Sequence, residues 1–359
     1  MSIKQDILSA ASYVLLASAI VLGIVLLSGK IAQRTGVAPA ASPPSGTEAL
    51  GAPRLRAAIA QGVKFLKNDQ LPSGEFRSYG CADERLRQRC YSYSSPFITT
   101  FVAYSLRFVP LPGAREIAER AVEFLTREMT SPGLWSFTTK SNRDVFDPDA
   151  DDTSCAAALL KDRPGISANA KVFADHRNAE GLFYTWFFDS VKDNDIDCAV
   201  NANVLFYLGE TPDTMPACAY INGTVERREE GRCSLYYPGA LKYYYMISRA
   251  YGNGARCLEP SREAVLQRIL AGQRTDGSFG NALDTALAAA SLLNYGYQGP
   301  ALDRGIGALF GIQKRDGSWE RSVLFYGPQP RSLAYYDYGS ESLTTAIALE
   351  ALARYLGER

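Results

Sequence analysis

The sequence predicts an all-α domain, a single (α/α)6 toroid, preceded by an N-terminal transmembrane helix. Two observations predict the toroid: a short motif recurs along the chain, and buried helical runs alternate with amphipathic ones. The motif is a glycine, one further residue and then usually an aromatic residue. Its copies begin at Gly74, Gly133, Gly181, Gly277 and Gly317, with a weaker copy at Gly231.

Each copy is followed by a helical run that is apolar or small almost all round, which is typical of a buried helix. Most copies are preceded by an amphipathic run with its charges on one face. Six such pairs close most simply into a ring with the buried helices inside, so that the N-terminal ends of the inner helices gather at one mouth. The inner helices are expected to begin near Ser95, Asp152, Cys198, Gly239, Asp284 and Ser342.

The N-terminal segment predicts attachment to a membrane. Residues 7–27 carry no charge, and about 20 apolar residues are enough for a helix to cross a bilayer. We therefore expect a membrane anchor over residues 1–34, with a lipid membrane as its partner, and a cleaved signal peptide is the alternative. Residues 35–53 are rich in Pro, Ala and Ser and predict a linker. The toroid then occupies residues 54–359 of a single-pass membrane protein, with an extracytoplasmic domain favoured.

Charge and cysteine content narrow the function classes. The chain has 38 basic and 38 acidic residues, so the basic face that nucleic-acid binding requires is not predicted. Among the seven cysteines, Cys81 with Cys90 and Cys218 with Cys233 lie in short polar segments where a local disulfide is feasible. Such pairs suit an oxidising compartment, and free thiols of a cytosolic protein are the alternative.

Acidic residues cluster before two of the predicted inner helices. Asp149, Asp151 and Asp152 precede one of them, and Asp195 and Asp197 precede the next. Because neighbouring inner helices start at the same mouth, both clusters are expected there. Three interpretations stay open, namely helix capping, cation binding and acid catalysis.

Each interpretation has its own residue requirements. Asp152, Asp197 and Asp284 are good N-cap residues, and carboxylates in a first turn are stabilising. A standard calcium loop is excluded because Asp152 and Ala158 occupy the positions that need Gly and Glu. An irregular divalent cation site stays open, and no other cofactor is expected. Acid catalysis stays open because capping explains one acid per helix and leaves the other acids of each cluster unexplained.

Several segments resemble a known family. RGIGALFGIQKRDGSW, at residues 304–319, resembles the QW motif of squalene-hopene cyclases, and AGQRTDGSF and NDQLPSGEF are similar. The chain thus resembles the terpenoid cyclase and protein prenyltransferase superfamily, whose fold is a helical toroid. Asp149-Ala150-Asp151-Asp152 is similar to the Asp-x-Asp-Asp motif of class II terpene cyclases. This resemblance implies that Asp151 protonates an alkene or epoxide, with Asp149 and Asp152 in support.

The substrate class stays open at this stage. The resemblance favours an isoprenoid, whose carbocation would need a dry cavity with aromatic faces, and Tyr237 and Tyr336 are among many tyrosines that could supply them. A carbohydrate-active toroid, either hydrolase or lyase, is the alternative, with Asn203 as a further sugar contact. A toroid that only binds a partner is the third reading. Candidate substrate-binding residues are Asp195, Asp197, Asn201, Trp186, Tyr336 and Asp284.

Overall fold

The chain folds into alternating helices with one small sheet. A computed structural model describes residues 51–141, 147–187, 194–328 and 335–357. In chain order the elements are α1 Ala52–Asp69, β1 Ser78–Cys81, β2 Tyr91–Tyr93, α2 Pro96–Leu106, α3 Pro112–Glu128, α4 Ala150–Leu160, α5 Ala170–Asp175, α6 Cys198–Leu208, α7 Met215–Glu226, α8 Glu230–Cys233, α9 Ala240–Gly252, α10 Glu259–Ala271, α11 Ala282–Asn294, α12 Pro300–Gly311, β3 Ser322–Pro328, β4 Tyr335–Ser340 and α13 Glu341–Gly357.

Six of these helices, α2, α4, α6, α9, α11 and α13, form an inner ring. Each packs against the next, and α13 packs back against α2. Every residue of α2 is buried, as are almost all residues of α11. Each inner helix starts within two residues of its predicted start. The predicted ring of six inner helices is therefore confirmed.

The outer helices are α1, α3, α5, α7, α10 and α12. In α3 the buried residues Ala114, Ile117, Ala121 and Leu125 recur at helical spacing and face the ring, while charged residues occupy the opposite side. The outer helix of the third pair, α5, has only six residues. The alternation of apolar and amphipathic runs therefore corresponds to an inside and an outside of the toroid.

In three copies of the recurring motif, one glutamine joins an outer helix to its neighbour. The Nε2 atom of Gln313 donates to the carbonyls of Gly317 and Ala58, both at 2.9 Å. Gly317 has a φ of 92°, and a Cβ there would lie 2.3 Å from the Gln61 carbonyl oxygen, so only glycine fits. Gln70 and Gln273 each make the same pair of bonds, to Gly74 and Ile117 and to Gly277 and Ala301.

The aromatic residue of the motif ties the same loop to the inner helix. Its backbone N–H donates to a side-chain oxygen one turn into that helix, as Trp319 does to Thr345 at 3.1 Å. The buried indole of Trp319 also donates to the Leu309 carbonyl at the end of α12. The same backbone bond is made by four further pairs, Phe76 to Thr99, Trp135 to Thr153, Phe183 to Asn201 and Phe279 to Thr285.

A four-stranded antiparallel sheet corrects the prediction of an all-α domain. Its strand order is β2-β1-β4-β3, with Tyr79 opposite Gly339 and Phe325 opposite Tyr338. The strands lie before the first and the last inner helices, so their pairing joins segments more than 200 residues apart in sequence. No local sequence pattern predicts such a pairing, because the partner strands come together only in the closed ring.

The predicted membrane location is also corrected. Within residues 51–141, 147–187, 194–328 and 335–357, no helix is both long and apolar enough to cross a bilayer. The segment that carried the prediction, residues 7–27, lies outside the described residues, as do the rest of the predicted anchor and almost all of the linker.

Three disulfides are present, and one predicted pairing is wrong. Cys81 pairs with Cys90 as predicted. Cys218 pairs with Cys257 and not with Cys233, which is bonded to Cys198 instead. The prediction paired cysteines by nearness in sequence, whereas the helical pairs bring α6 next to α8 and α7 next to the start of α10. The remaining thiol, Cys155, is buried.

Peptide mapping under non-reducing conditions tests this connectivity. We expect one linked peptide pair that joins Cys198 to Cys233 and another that joins Cys218 to Cys257, each lost on reduction. A linked pair of Cys218 with Cys233 would contradict the packing of α6, α7 and α8 described here.

Candidate active site

One pocket opens where the N-terminal ends of the inner helices meet the sheet. Three carboxyl groups at the start of α4, those of Asp149, Asp151 and Asp152, lie in its wall. The remaining lining is almost entirely apolar, and the space between the described residues is about 60 Å³. Apart from the three acids, the lining residues are Phe97, Phe137, Thr185, Trp186, Tyr236, Phe325, Tyr326, Gly327 and Tyr338.

Asp149 caps α4, which corrects the assignment of Asp152 as the N-cap. The Asp149 Oδ1 atom accepts a hydrogen bond from the Asp152 backbone N–H at 2.7 Å. Asp152 therefore lies one turn inside the helix, and its own Oδ1 atom is buried without a hydrogen-bond partner among the described residues. Capping thus accounts for Asp149. Asp151 and Asp152 lie in the first turn, where negative charge is favourable, but this position does not explain why an Asp152 oxygen is buried without a hydrogen-bond partner among the described residues.

Burial favours the protonated form of these acids. Burial, with the neighbouring charge of Asp151 as a smaller cause, raises the pKa of Asp149 to about 7. Burial raises the pKa of Asp152 well above its ordinary value, with the charge of Asp149 as the next cause. Two adjacent buried carboxyl groups cannot both ionise at low cost. The pair therefore keeps a proton under conditions in which an exposed aspartate has none.

Asp151 combines burial with two hydrogen-bond donors. Its Oδ1 atom accepts from the Asn203 amide nitrogen at 2.6 Å, and its Oδ2 atom accepts from the Tyr237 hydroxyl. Burial raises the pKa of Asp151, while these two donors and the charge of Arg249 oppose the rise. The site therefore favours a proton on Asp151 and also stabilises the carboxylate that remains when the proton leaves.

Aromatic rings face the acids across the pocket. Phe325 on β3 and Tyr338 on β4 stack with their centroids 4.9 Å apart and their planes within 4°. Phe97 and Phe137 both meet the Phe325 ring edge-on, at 5.1 and 5.6 Å. The sheet that the sequence did not predict thus supplies the wall opposite the acids. Such ring faces attract a cation.

Trp186 and Asp195 belong to the side wall of the pocket. Trp186 lines the pocket, and its indole N–H donates to the Tyr236 hydroxyl at 3.3 Å. Asp195 stands behind that wall, where its carboxylate accepts from the hydroxyls of Thr185 and Tyr236. The backbone of this wall bonds to the acid segment, since the Ala150 N–H donates to the Thr185 carbonyl at 2.8 Å. Asp195 therefore orients lining residues and is not itself in the lining.

Asp197 and Asn201 have structural positions on α6. Asp197 caps the helix by accepting from Ala199 and Val200, and its other oxygen accepts from the backbone of Leu235 and Tyr236. Burial raises the pKa of Asp197 to about 7.

The Asn201 side chain donates to the Phe183 carbonyl and accepts from the Phe183 N–H. These are the bonds of the repeat, so Asn201 takes the place that threonine has in the other copies. It does not line the pocket.

Tyr336 and Asp284 lie away from the pocket. Tyr336, on β4, stacks against Tyr91 with centroids 6.2 Å apart. Asp284 forms an ion pair with Lys242 at 2.7 Å in a separate polar groove. Asn281, not Asp284, caps α11. The structure therefore does not bring these two candidates to the acids.

The closest partners of Asp151 received no special weight from sequence. By sequence, Tyr237 is one of many tyrosines, Asn203 is a candidate sugar contact, and Arg249 belongs to no motif. A signal was nevertheless present, because Asn203 and Arg249 are polar residues in the middle of helical runs that are otherwise buried. A buried polar side chain requires a partner. Across the described ranges, no group of three or more His, Cys, Asp or Glu side chains is arranged to hold a metal ion.

Comparisons with known proteins show the fold. No protein-family model matches the chain, and no curated protein matches it either. A protein from Actinoplanes of known crystal structure is 19% identical, with a TM-score of 0.66, over 84% of this chain and 99% of that chain.

Two further solved structures carry functional descriptions. The type II terpene cyclase MstE from Scytonema, in complex with its substrate geranylgeranyl dihydroxybenzoate, is 17% identical over 85% of this chain and 98% of that chain, with a TM-score of 0.64. A possible member of the GH105 family from Salmonella enterica is 13% identical over 90% of this chain and 98% of that chain, with a TM-score of 0.52. The chain therefore has a terpene-cyclase-like toroid fold, and the possible GH105 family member from Salmonella enterica is similar in fold as well.

The raised pKa values make stability dependent on pH. Asp149 has a pKa of about 7 in the folded chain, against about 3.9 when unfolded. Between these values the folded chain binds more protons, so the free energy of unfolding should fall as the pH rises from about 4 to about 7. Asp149→Asn keeps a capping oxygen and removes the titrating group. Urea unfolding across this range should therefore give a shallower decline for the variant.

Asp147→Asn is the matched control, because Asp147 is exposed and lies two residues before the cap. It should keep the wild-type decline. The decline that remains in Asp149→Asn is expected from Asp152 and Asp197, which the substitution leaves in place. Identical pH profiles for wild type and Asp149→Asn would contradict the assignment of a buried, proton-holding Asp149.

Proposed function

We propose that this protein is a class II terpene-cyclase-like enzyme, which starts the cyclisation of an isoprenoid by protonating it from Asp151. One observation carries the proposal: a partly buried acid that accepts hydrogen bonds from two donors lies in the wall of an apolar pocket lined by aromatic rings. The terpene-cyclase-like fold and the Asp-x-Asp-Asp sequence at residues 149–152 support the same chemistry.

Protonation of an alkene requires a strong acid that is still protonated when the substrate arrives. Burial meets the second requirement, because it raises the pKa of Asp151. The donors Asn203 and Tyr237 meet the first, because they stabilise the carboxylate formed in the transition state. Asp149 and Asp152 hold negative charge and a shared proton beside it, so they support the donor without replacing it.

The reaction that follows is an isomerisation. The Asp151 proton forms a C–H bond at one alkene carbon, and the resulting cation is attacked by a second alkene of the same chain. Loss of a proton from the final cation restores a neutral product of unchanged composition. The faces of Phe325 and Tyr338 stabilise the cation, and the apolar lining keeps out water that would trap it.

The pocket limits what the described residues can hold. A volume of about 60 Å³ is roughly that of two waters in the liquid. This space is smaller than a whole isoprenoid chain, so most of a bound substrate would lie outside it. We expect the terminal isoprene unit to be the part that contacts Asp151.

The arrangement of acids disfavours the carbohydrate-active alternative. Glycosidases place two carboxyl groups on opposite sides of the sugar, about 5 to 10 Å apart. Here the three carboxyl groups of the pocket come from one helical turn, and the facing wall is aromatic. Asp195 is engaged with Thr185 and Tyr236 behind the side wall.

Deuterium incorporation tests the proposed reaction. We expect the chain, incubated in D2O with geranylgeranyl dihydroxybenzoate as a probe, to give a cyclic isomer that carries one deuterium, because Asp151 exchanges its proton with solvent before donating it. Mass spectrometry and NMR of the product measure this. Asp151→Asn should remove product formation and leave the circular dichroism spectrum and thermal unfolding unchanged or improved.

Asp147→Asn, at an exposed position four residues earlier, should keep full activity. Asp195→Asn should lower turnover partially, because it disturbs the Thr185 and Tyr236 wall. Product without deuterium, or equal activity of Asp151→Asn, would rule out Asp151 as the proton donor. Binding of the probe without conversion would leave a toroid that binds isoprenoids and does not react with them.

A further inference from the structure

Behind Asp151 lies a buried arginine that the proposed reaction does not use directly. Arg249, on the inner helix α9, is 2% exposed. Its guanidinium carbon lies within an aromatic cage, 4.4 and 4.8 Å from the ring centroids of Phe206 and Phe101 and 5.3 and 5.5 Å from those of Tyr104 and Tyr245. Ring faces stabilise the charge but accept no conventional hydrogen bond.

The polar contact of Arg249 is with Asn203. Its Nη2 atom donates to Asn203 Oδ1 at 2.7 Å. The other neighbours of Nη2 are the sulfur atoms of Cys155 and Met246, at 3.4 and 3.5 Å, and Nε has no hydrogen-bond partner in the described part of the chain. Among the described residues, Asn203 Oδ1 is therefore the one oxygen acceptor that this buried charge has.

This contact decides which way the asparagine amide points. An asparagine side chain has one accepting oxygen and one donating nitrogen, whereas a guanidinium only donates. Because Arg249 can only donate, the amide oxygen must face it and the amide nitrogen must face Asp151. A flipped amide would place its nitrogen against the guanidinium and remove the oxygen acceptor of a buried charge, which is costly.

We propose that Arg249 is a positioning residue for the proton donor, because it fixes the Asn203 amide so that this amide donates to Asp151 and cannot accept from it. The inference rests on the proposed function of Asp151. Without Arg249, the amide could turn and accept a hydrogen bond from protonated Asp151, which would hold the proton back.

The fixed amide also selects the oxygen that carries the proton. Asp151 Oδ1 accepts from Asn203, so the transferable proton is confined to Oδ2, beside the Tyr237 hydroxyl. The Tyr237 hydroxyl donates to Oδ2, so it stabilises the carboxylate that remains after transfer. Asn203 and Tyr237 then both stabilise the charge that remains on Asp151.

The hydroxyl and thiol groups in contact with Arg249 are too weakly acidic to lose a proton near neutral pH. Burial raises the pKa of Tyr104 and of Cys155, each to about 12, and that of Tyr245 well above its ordinary value. On the far side of Tyr245, Glu350 accepts from that hydroxyl at 3.1 Å and pairs with Arg354 at 3.2 Å. Burial raises the pKa of Glu350, but no hydrogen bond joins it to Arg249 or Asn203 within the described residues.

Two substitutions of Arg249 separate orientation from packing. Arg249→Lys keeps a side chain that only donates, so the amide should stay fixed. Arg249→Gln offers both a donor and an acceptor, so the amide can turn. With geranylgeranyl dihydroxybenzoate as the probe, we expect kcat/KM of the lysine variant to stay within about threefold of wild type and that of the glutamine variant to fall about tenfold or more, the effect of a weaker general acid.

The pH dependence gives a readout that a purely structural defect would not move. Loss of the Asn203 donor raises the pKa of Asp151, and loss of the Arg249 charge raises it as well. In Arg249→Gln the alkaline limb of the rate profile should therefore shift to higher pH while the plateau falls, and in Arg249→Lys the limb should not move. A lower plateau with an unmoved limb in the glutamine variant would overturn the inference.

Infrared titration separates this inference from the proposed function. The carbonyl band of protonated Asp151 is identified as the band that is missing from the infrared spectrum of Asp151→Asn. Its intensity is followed as the pH rises, without substrate, and the midpoint of its loss is the pKa of Asp151. Loss of the Arg249 charge alone also raises the midpoint, so both variants are compared again with Asn203→Ala, which removes the amide. A higher midpoint in Arg249→Gln than in Arg249→Lys that shrinks in the Asn203→Ala background, with no turnover even in wild type, would support the positioning role and contradict the proposed cyclase activity. Turnover in wild type with equal midpoints in both variants would overturn the positioning role.

Folding of the variants is checked by circular dichroism. Should Arg249→Gln not fold, Arg249→Met replaces it, because methionine is unbranched, makes favourable contacts with aromatic rings and leaves the amide equally free. The methionine variant should show the same rise in the midpoint and the same loss of turnover. A wild-type midpoint in a folded methionine variant would contradict the inference.

Discussion

The carboxyl group of Asp151 is partly buried beside an apolar pocket and yet accepts hydrogen bonds from two donors. The arrangement of the surrounding residues depends on this combination. Burial alone would give a neutral acid that holds its proton too well to be useful. Donors alone would give a carboxylate with no proton to transfer. The fold satisfies both requirements by taking Asp151, Asn203 and Tyr237 from three different segments of the inner ring.

The repeat is what makes that convergence possible. Five of the six motif copies fix their loops by a backbone bond to the next inner helix. In three copies a glutamine also joins neighbouring outer helices. The starts of the inner helices are therefore held in register at one mouth, where Asp149 and Asp197 cap their helices. Asn201 illustrates this structural requirement. Its sequence position made it a candidate substrate contact, but its side chain bonds the backbone of Phe183 and so holds the loop against the inner helix.

The sequence predicts well whatever follows from local periodicity. The starts of the six inner helices and the Asp149 to Asp152 cluster are evident because each depends on residues close together in the chain. Contacts between distant segments form the sheet, pair Cys198 and Cys218 with their partners and surround Asp151. Residue spacing in the sequence does not predict such contacts. Asp284 and Tyr336 do not line the acid pocket, for the same reason. Residue type and nearness to a helix start do not determine which cavity a side chain lines. Arg249 is the instructive omission, since a charge inside a buried helix required an explanation that only Asn203 supplies.

The central claim is that Asp151 faces a cation during the reaction, and the most direct measurement is the affinity of a cation mimic. An isoprenoid that carries a tertiary amine in its terminal isoprene unit can be compared with the matched hydrocarbon by titration calorimetry. We predict that the wild-type protein binds the ammonium form more tightly than the hydrocarbon, because the Asp151 carboxylate and the faces of Phe325 and Tyr338 stabilise its charge. In Asp151→Asn this preference should be largely lost. Equal affinities in the wild type, or a preference that survives the substitution unchanged, would contradict the account.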